Sequence, residues 1–142
     1  MIKKDKIPLT RAGFFNIQKM KKVAIQGIAG SFHEIAARKF FGEEVNIIPC
    51  LTFKDIFEQV TPRNDNFGII AIENTIAGSL LQNHHLISNS DLQIIGEYKL
   101  RIEHSLVALP GQKIEDIKEV HSHPIALMQC EEFLSRHKTI KA

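Results

Sequence analysis

The sequence predicts an α/β fold with a mostly parallel sheet. Two observations carry this: short β-branched runs recur at "KKVAI", "EVNIIPC" and "FGIIAI", and a capped segment with helical spacing follows each of the first two. Strands alternating with helices at this interval are joined most simply by parallel crossovers.

The elements follow in chain order. Residues 1–20 carry basic side chains without sustained periodicity and read as a flexible extension outside the core. The first strand starts near Lys21. Gly27 to Gly30 then makes a turn, and Ser31 to Phe41 has apolar residues at helical spacing, with Ser31 and Glu34 placed as a capping box. The second strand ends at Cys50, and Thr52 with Asp55 opens the helix "FKDIFEQV" in the same way. The third strand runs through Ile69 to Glu73, where Asn74 and Thr75 arrive as the chain should turn. A helical stretch around Ser79 to Ile87 follows, and then a long alternating run from Leu92 to Leu109 puts Leu100, Ile102, His104, Leu106 and Ala108 on one face. "IKEVHS" reads as a last strand. Pro124 at a first helical position starts "PIALMQCEEFLSRH", whose Leu127, Cys130 and Leu134 share a face.

Composition excludes several function classes. The chain has 142 residues, 44% hydrophobic and 24% charged, so it can bury roughly 68% of its unfolded surface and build an ordinary core. A formal charge of +2 with no basic stripe argues against nucleic acid, and no apolar run approaches the ~18 residues of a membrane span. No secretory block stands at the amino terminus, so the expected compartment is the cytoplasm. Cys50 and Cys130 sit among apolar neighbours and read as free thiols, and the histidines lack metal-ligand spacing.

Ligands of open α/β sheets bind beyond the carboxyl ends of the strands, where helix N-termini offer unpaired N–H groups. Three polar clusters fall there: Gly30, Ser31 and Phe32; Glu73, Asn74 and Thr75 with Gly78 and Ser79; and Ser122, His123 and Pro124. Converging, they would suit a carboxylate. A nucleotide loop fits poorly, because the glycines lack the G-x-G-x-x-G order and no Gly-Lys-Ser/Thr follows. Ser31 and Thr52 are also accounted for as helix caps, His104 as a hydrogen-bonded core histidine, and Gln129 as a partly exposed amide on a helix flank. From the residues alone, an anion-binding α/β module is the reading.

Four blocks, "VAIQGIAGSFHEIAA", "IAIENTIAGSL", "GEYKLRIEHSL" and "VHSHPIALMQCEEFL", together resemble the catalytic region of the prephenate dehydratases. The resemblance implies a periplasmic-binding-protein-like architecture of two lobes. The first would span 21–74, a connection 75–103, and the second would start at 104–142 and be incomplete in this chain. It implies decarboxylative dehydration of prephenate to phenylpyruvate in phenylalanine biosynthesis, with no metal or organic cofactor. Asn74, Thr75 and Gln129 would be catalytic. Gly30, Ser31, Phe32, Glu73, His104, Ser122 and His123 would contact or support the substrate. Two positions depart from the family pattern: Ala71 stands where proline is usual, and Ile125 where a glutamine commonly follows "SHP". The family's Thr-Arg-Phe block has no counterpart within the 142 residues, so this chain by itself is expected to be inactive. The incomplete second lobe is expected to self-associate, giving a homo-oligomer, or to stay partly mobile. Arogenate as substrate, and a non-catalytic carboxylate-binding module, are the alternatives.

Overall fold

The computed structural model describes residues 1–3, 20–61, 63–76 and 78–142. They form two compact units: residues 1–72 with 80–100, and residues 73–79 with 101–142.

Unit 1 is an α/β layer structure. Its sheet is built from β1 (Ile2–Lys3), β2 (Lys22–Gln26), β3 (Asn46–Cys50), β4 (Phe67–Gly68) and β7 (Gln93–Ile94), in the order β3-β2-β4-β1-β7. β2 pairs parallel with both β3 and β4, as the alternation of strand and helix predicts, and β1 runs antiparallel to β4 and β7. Successive β2 side chains point to opposite faces, and each face is covered. Val23 and Ile25 pack with Ala37, Val45 and Ile69 beside α1 (Phe32–Phe41), while Ala24 packs with Ile2, Cys50, Ile56, Val60 and Ile70 beside α2 (Phe53–Gln59). Burial of each such Val or Ile contributes about 1.5–3 kcal/mol, so this double-faced core is what holds unit 1 together.

Both predicted helix starts are present. Thr52 and Asp55 form a complete capping box, Thr52 Oγ1 accepting from the Asp55 N–H at 3.2 Å and Asp55 Oδ2 from the Thr52 N–H at 2.9 Å. Ser31 Oγ accepts from the Glu34 N–H at 3.3 Å, but the Glu34 carboxylate returns to the Gly30 N–H, at 2.6 Å, and not to the cap residue. Cys50 and Cys130 are both free thiols, as expected.

Four expectations need correction here. The third strand, expected through Ile69 to Glu73, is a strand only at Phe67–Gly68, and Glu73 opens the hairpin of unit 2. The first three residues are not an extension: Ile2–Lys3 fill the gap between β4 and β7, and Ile2 is only 1% exposed. A two-residue strand displays no periodicity, and its place is dictated by the unpaired backbone groups of the strands on either side. The remainder of that reading, residues 4–19, lies outside the described residues. Residues 80–100 do not act as a connection either, since α3 (Leu81–Ser88) and β7 belong to unit 1, with Ile87 and Leu92 packed on its core. The buried Asn83 ties α3 down, its Nδ2 donating to the Ala71 carbonyl at 2.8 Å. Finally, the run from Leu92 to Leu109 is a strand only at Gln93–Ile94. Ile95 and Gly96 still bond to the backbone or amino terminus of Met1, but residues 97–109 belong to no strand among the described residues, and an alternating pattern becomes a strand only when a partner satisfies its backbone.

Unit 2 holds the hairpin of β5 (Glu73–Asn74) and β6 (Gly78–Ser79), a 3-10 turn at Ile114–Asp116, α4 (Pro124–Gln129) and α5 (Glu131–Arg136). "IKEVHS" contributes a single parallel bridge, Glu119 to Lys141, in place of a full strand. The predicted last helix is interrupted at Cys130, although Leu127, Cys130 and Leu134 are all half-buried as a shared face requires. Ile140 is the one apolar residue of unit 2 that is buried among the described residues, while Ile102, Leu106, Ile125, Met128 and Phe133 are exposed.

Candidate functional site

In unit 1 the polar cluster sits where β2 and β3 end and α1 and α2 begin. Gly27 (φ 113°) and Gly30 (φ 84°) adopt left-handed backbone that other residues rarely take, and this lets the chain reverse between β2 and α1. The Gly27 N–H donates to the Cys50 carbonyl at 2.9 Å, locking the turn to the end of β3. A Cβ at Gly27 would also lie 3.2 Å from the Ser31 side chain. Glu34 reaches back to the Gly30 N–H and is gripped by Arg38 through Nε at 2.9 Å and Nη2 at 2.7 Å. The Gly30 N–H, followed by Arg38, holds the Glu34 carboxyl below the usual carboxylate range. Gly30 is exposed and Ser31 and Phe32 half-buried, so this rim is reachable, and Glu34 is what fixes its shape.

His33 belongs to the same rim and was missed by sequence reasoning. Its ring meets Phe53 edge-on, with centroids 5.4 Å apart, joining the first turns of α1 and α2. The one available signal was its position beside Phe32, which does not reveal a partner 20 residues away. Burial lowers its pKa below the ordinary 6.5, opposed by a backbone hydrogen bond with Gln26. The unfolded chain therefore binds this proton more readily than the native state. The resulting stability is complete above the unfolded value and is lost as the pH falls through about 6.5 and below it. Thermal unfolding between pH 7.5 and 5.5 should show unit 1 weakening on acidification, with a shallower slope in His33→Gln; an unchanged slope would place the proton uptake elsewhere.

In unit 2 the hairpin explains an amide and a hydroxyl at a strand end. Asn74 Oδ1 accepts from the Ile76 N–H at 3.0 Å, a side-chain turn that reverses the chain at Thr75, and Gly78 supplies a φ of 82°. Glu73 pairs in register with Ser79 and is exposed, as is Thr75; Asn74 is half-buried. Asn74 thus has a structural task, and that task also fixes its amide. His123 has one too: it is the N-cap of α4, its Nδ1 accepting from the Ile125 N–H at 3.2 Å, with Pro124 at the first helical position and Ser122 exposed just before.

The structure brings together two of the expected residues that lie far apart in sequence. His104 Nε2 and Gln129 Oε1 are 2.7 Å apart. His104 is exposed and bonded to this amide, which corrects its reading as a core histidine. Glu73, Asn74 and Thr75 adjoin one another in the hairpin, and Ser122 and His123 precede α4. Gly30, Ser31 and Phe32 form the separate rim of unit 1.

Fold and polar inventory define an α/β protein with polar side chains at strand ends and helix starts. The prephenate dehydratase family profile matches residues 23–142, and the chain belongs to that family. It is 40% identical over 132 residues to arogenate dehydratase 2 of Petunia hybrida, covering 91% of this chain and 33% of that protein. With the chloroplastic arogenate dehydratase/prephenate dehydratase 2 of Arabidopsis thaliana it shares 39% identity over 115 residues, 81% of this chain and 30% of the relative. With the bifunctional chorismate mutase/prephenate dehydratase of Aquifex aeolicus the figures are 33% over 122 residues, 86% and 33%. The chain thus spans about a third of the length of these relatives. Among the described residues, no helix is long and apolar enough to cross a membrane.

Proposed function

We propose that this chain supplies part of a dehydratase that converts prephenate to phenylpyruvate. The family match across residues 23–142 is the observation that carries the reading. In that reaction the ring carboxylate departs as carbon dioxide, its bonding pair enters the ring, and the ring C–O bond breaks as the hydroxyl takes a proton and leaves as water. Aromatisation provides the driving force. The protein's work is to hold a dianion, orient it and donate to the departing oxygen.

Asn74, Thr75 and Gln129 are the proposed donors, because amides and hydroxyls stabilise a leaving oxygen without a shifted carboxylate pKa. Gly30, Ser31 and Phe32, and Ser122 and His123, are the proposed contacts or supports of the substrate; Glu73 positions its neighbour. The wider reading is a periplasmic-binding-protein-like architecture of two lobes. Self-association and a cytoplasmic location complete it, to be checked by sedimentation and cell fractionation.

Relatives named for arogenate favour a second substrate reading. Arogenate undergoes the same ring chemistry with an amino-acid side chain in place of the keto acid, so the groups acting at the ring would serve both. The test is to supply each substrate to the 142-residue chain, and to the chain extended with the sequence its relatives carry beyond the matched stretch. Phenylpyruvate from prephenate, or phenylalanine from arogenate, should appear above the spontaneous rate with the extended protein and not with the 142 residues alone. Ligand binding without turnover in either form would leave a carboxylate-binding module and reject the enzyme.

A further inference from the structure

We propose that His104 is a positioning residue for Gln129, setting which end of the amide faces the ligand. The inference rests on the reading of Gln129 as a donor to the substrate. A glutamine at the end of a surface helix has three rotatable bonds and an amide whose two ends are opposite in hydrogen-bonding sense, so undirected it offers a carboxylate repulsion as readily as attraction. Here the contacting amide atom is Oε1, 2.7 Å from His104 Nε2. The ring therefore donates from Nε2, and the Gln129 NH2 group is turned away from the histidine as the donor end.

The two residues come from separate stretches of unit 2. Gln129 is the last residue of α4, just before the interruption at Cys130, and His104 lies 25 positions earlier in a stretch outside any strand. An imidazole suits the task because it brings a directed N–H in a rigid plane.

The experiment uses the 142-residue chain with ring nitrogens and side-chain amides labelled, and prephenate as the probe. Nitrogen shifts of His104 should show the Nε2–H tautomer, with mixed tautomers in Gln129→Leu. Prephenate should move the Gln129 NH2 signals. His104→Phe should weaken this response about tenfold, the size of one directed hydrogen bond, and His104→Gln, which keeps an amide N–H, should recover part of it. A role limited to tying two segments together would leave the prephenate affinity of His104→Phe unchanged, and that result overturns the proposal. So does an Nδ1–H tautomer in the unmutated chain, since it would put the amide nitrogen against the ring. If prephenate moves no signal anywhere in the chain, the substrate reading fails, and the tautomer with its dependence on Gln129 still decides whether the pair is oriented as proposed.

Discussion

Ile2→Ala should lower the stability of unit 1 by about 2–5 kcal/mol, the range for removing a buried isoleucine from a core that cannot fully collapse. Ile2 is 1% exposed and lies opposite Gly68 in β4, with Ile94 on its other side. The space is closely fitted: a Cβ added at Gly68 would lie 2.7 Å from Ile56 Cγ2 and 3.1 Å from Ile2 Cγ1. Gly68→Ala should therefore cost about 1–3 kcal/mol by overpacking, despite adding apolar volume. Hydrogen exchange of the Val23 and Ile25 amides in the centre of the sheet, compared across the three proteins, separates loss of unit 1 from events in unit 2. Exchange in Ile2→Ala matching the unmutated chain would mean that the first residues leave the sheet readily and that the core is closed without them.

That result bears on what a sequence can disclose. The parallel strands around Ala24 and both capped helices were legible, because alternation, glycine turns and Ser/Thr-x-x-acid spacing are local signals that the local structure obeys. Ile2 was not legible, since its burial depends on two strands more than 60 residues away. The same distinction runs through the candidate site. Asn74 and Thr75 stood out as polar residues after an apolar run, and the hairpin that holds them is a local turn. His33 against Phe53 and His104 against Gln129 are pairings between separate elements, invisible to any periodicity. The failed strand from Leu92 to Leu109 makes the complementary point. Its alternation is a statement about which faces could be buried, and among the described residues 97–109 are part of no ladder that would convert the pattern into a strand.

The second large effect concerns turnover. In a form of the protein that converts prephenate, Asn74→Ala and Gln129→Ala should each lower kcat by about 10²-fold, the scale of removing one donor aimed at charge that develops in the transition state. KM should change far less, because carboxylate anchoring is assigned to other groups. Asn74 requires a control. Its Oδ1 holds the turn by accepting from the Ile76 N–H, so alanine removes a structural bond along with any catalytic one. Asn74→Asp keeps that acceptor and the turn while replacing the amide donor with a negative charge. If the amide donates to the leaving oxygen, Asn74→Asp should be as inactive as Asn74→Ala even though its hairpin survives, visible in the retained shifts of Ile76 and Gly78. Recovery of kcat in Asn74→Asp would assign the residue to turn formation alone, leaving Thr75 and Gln129 to serve the departing hydroxyl.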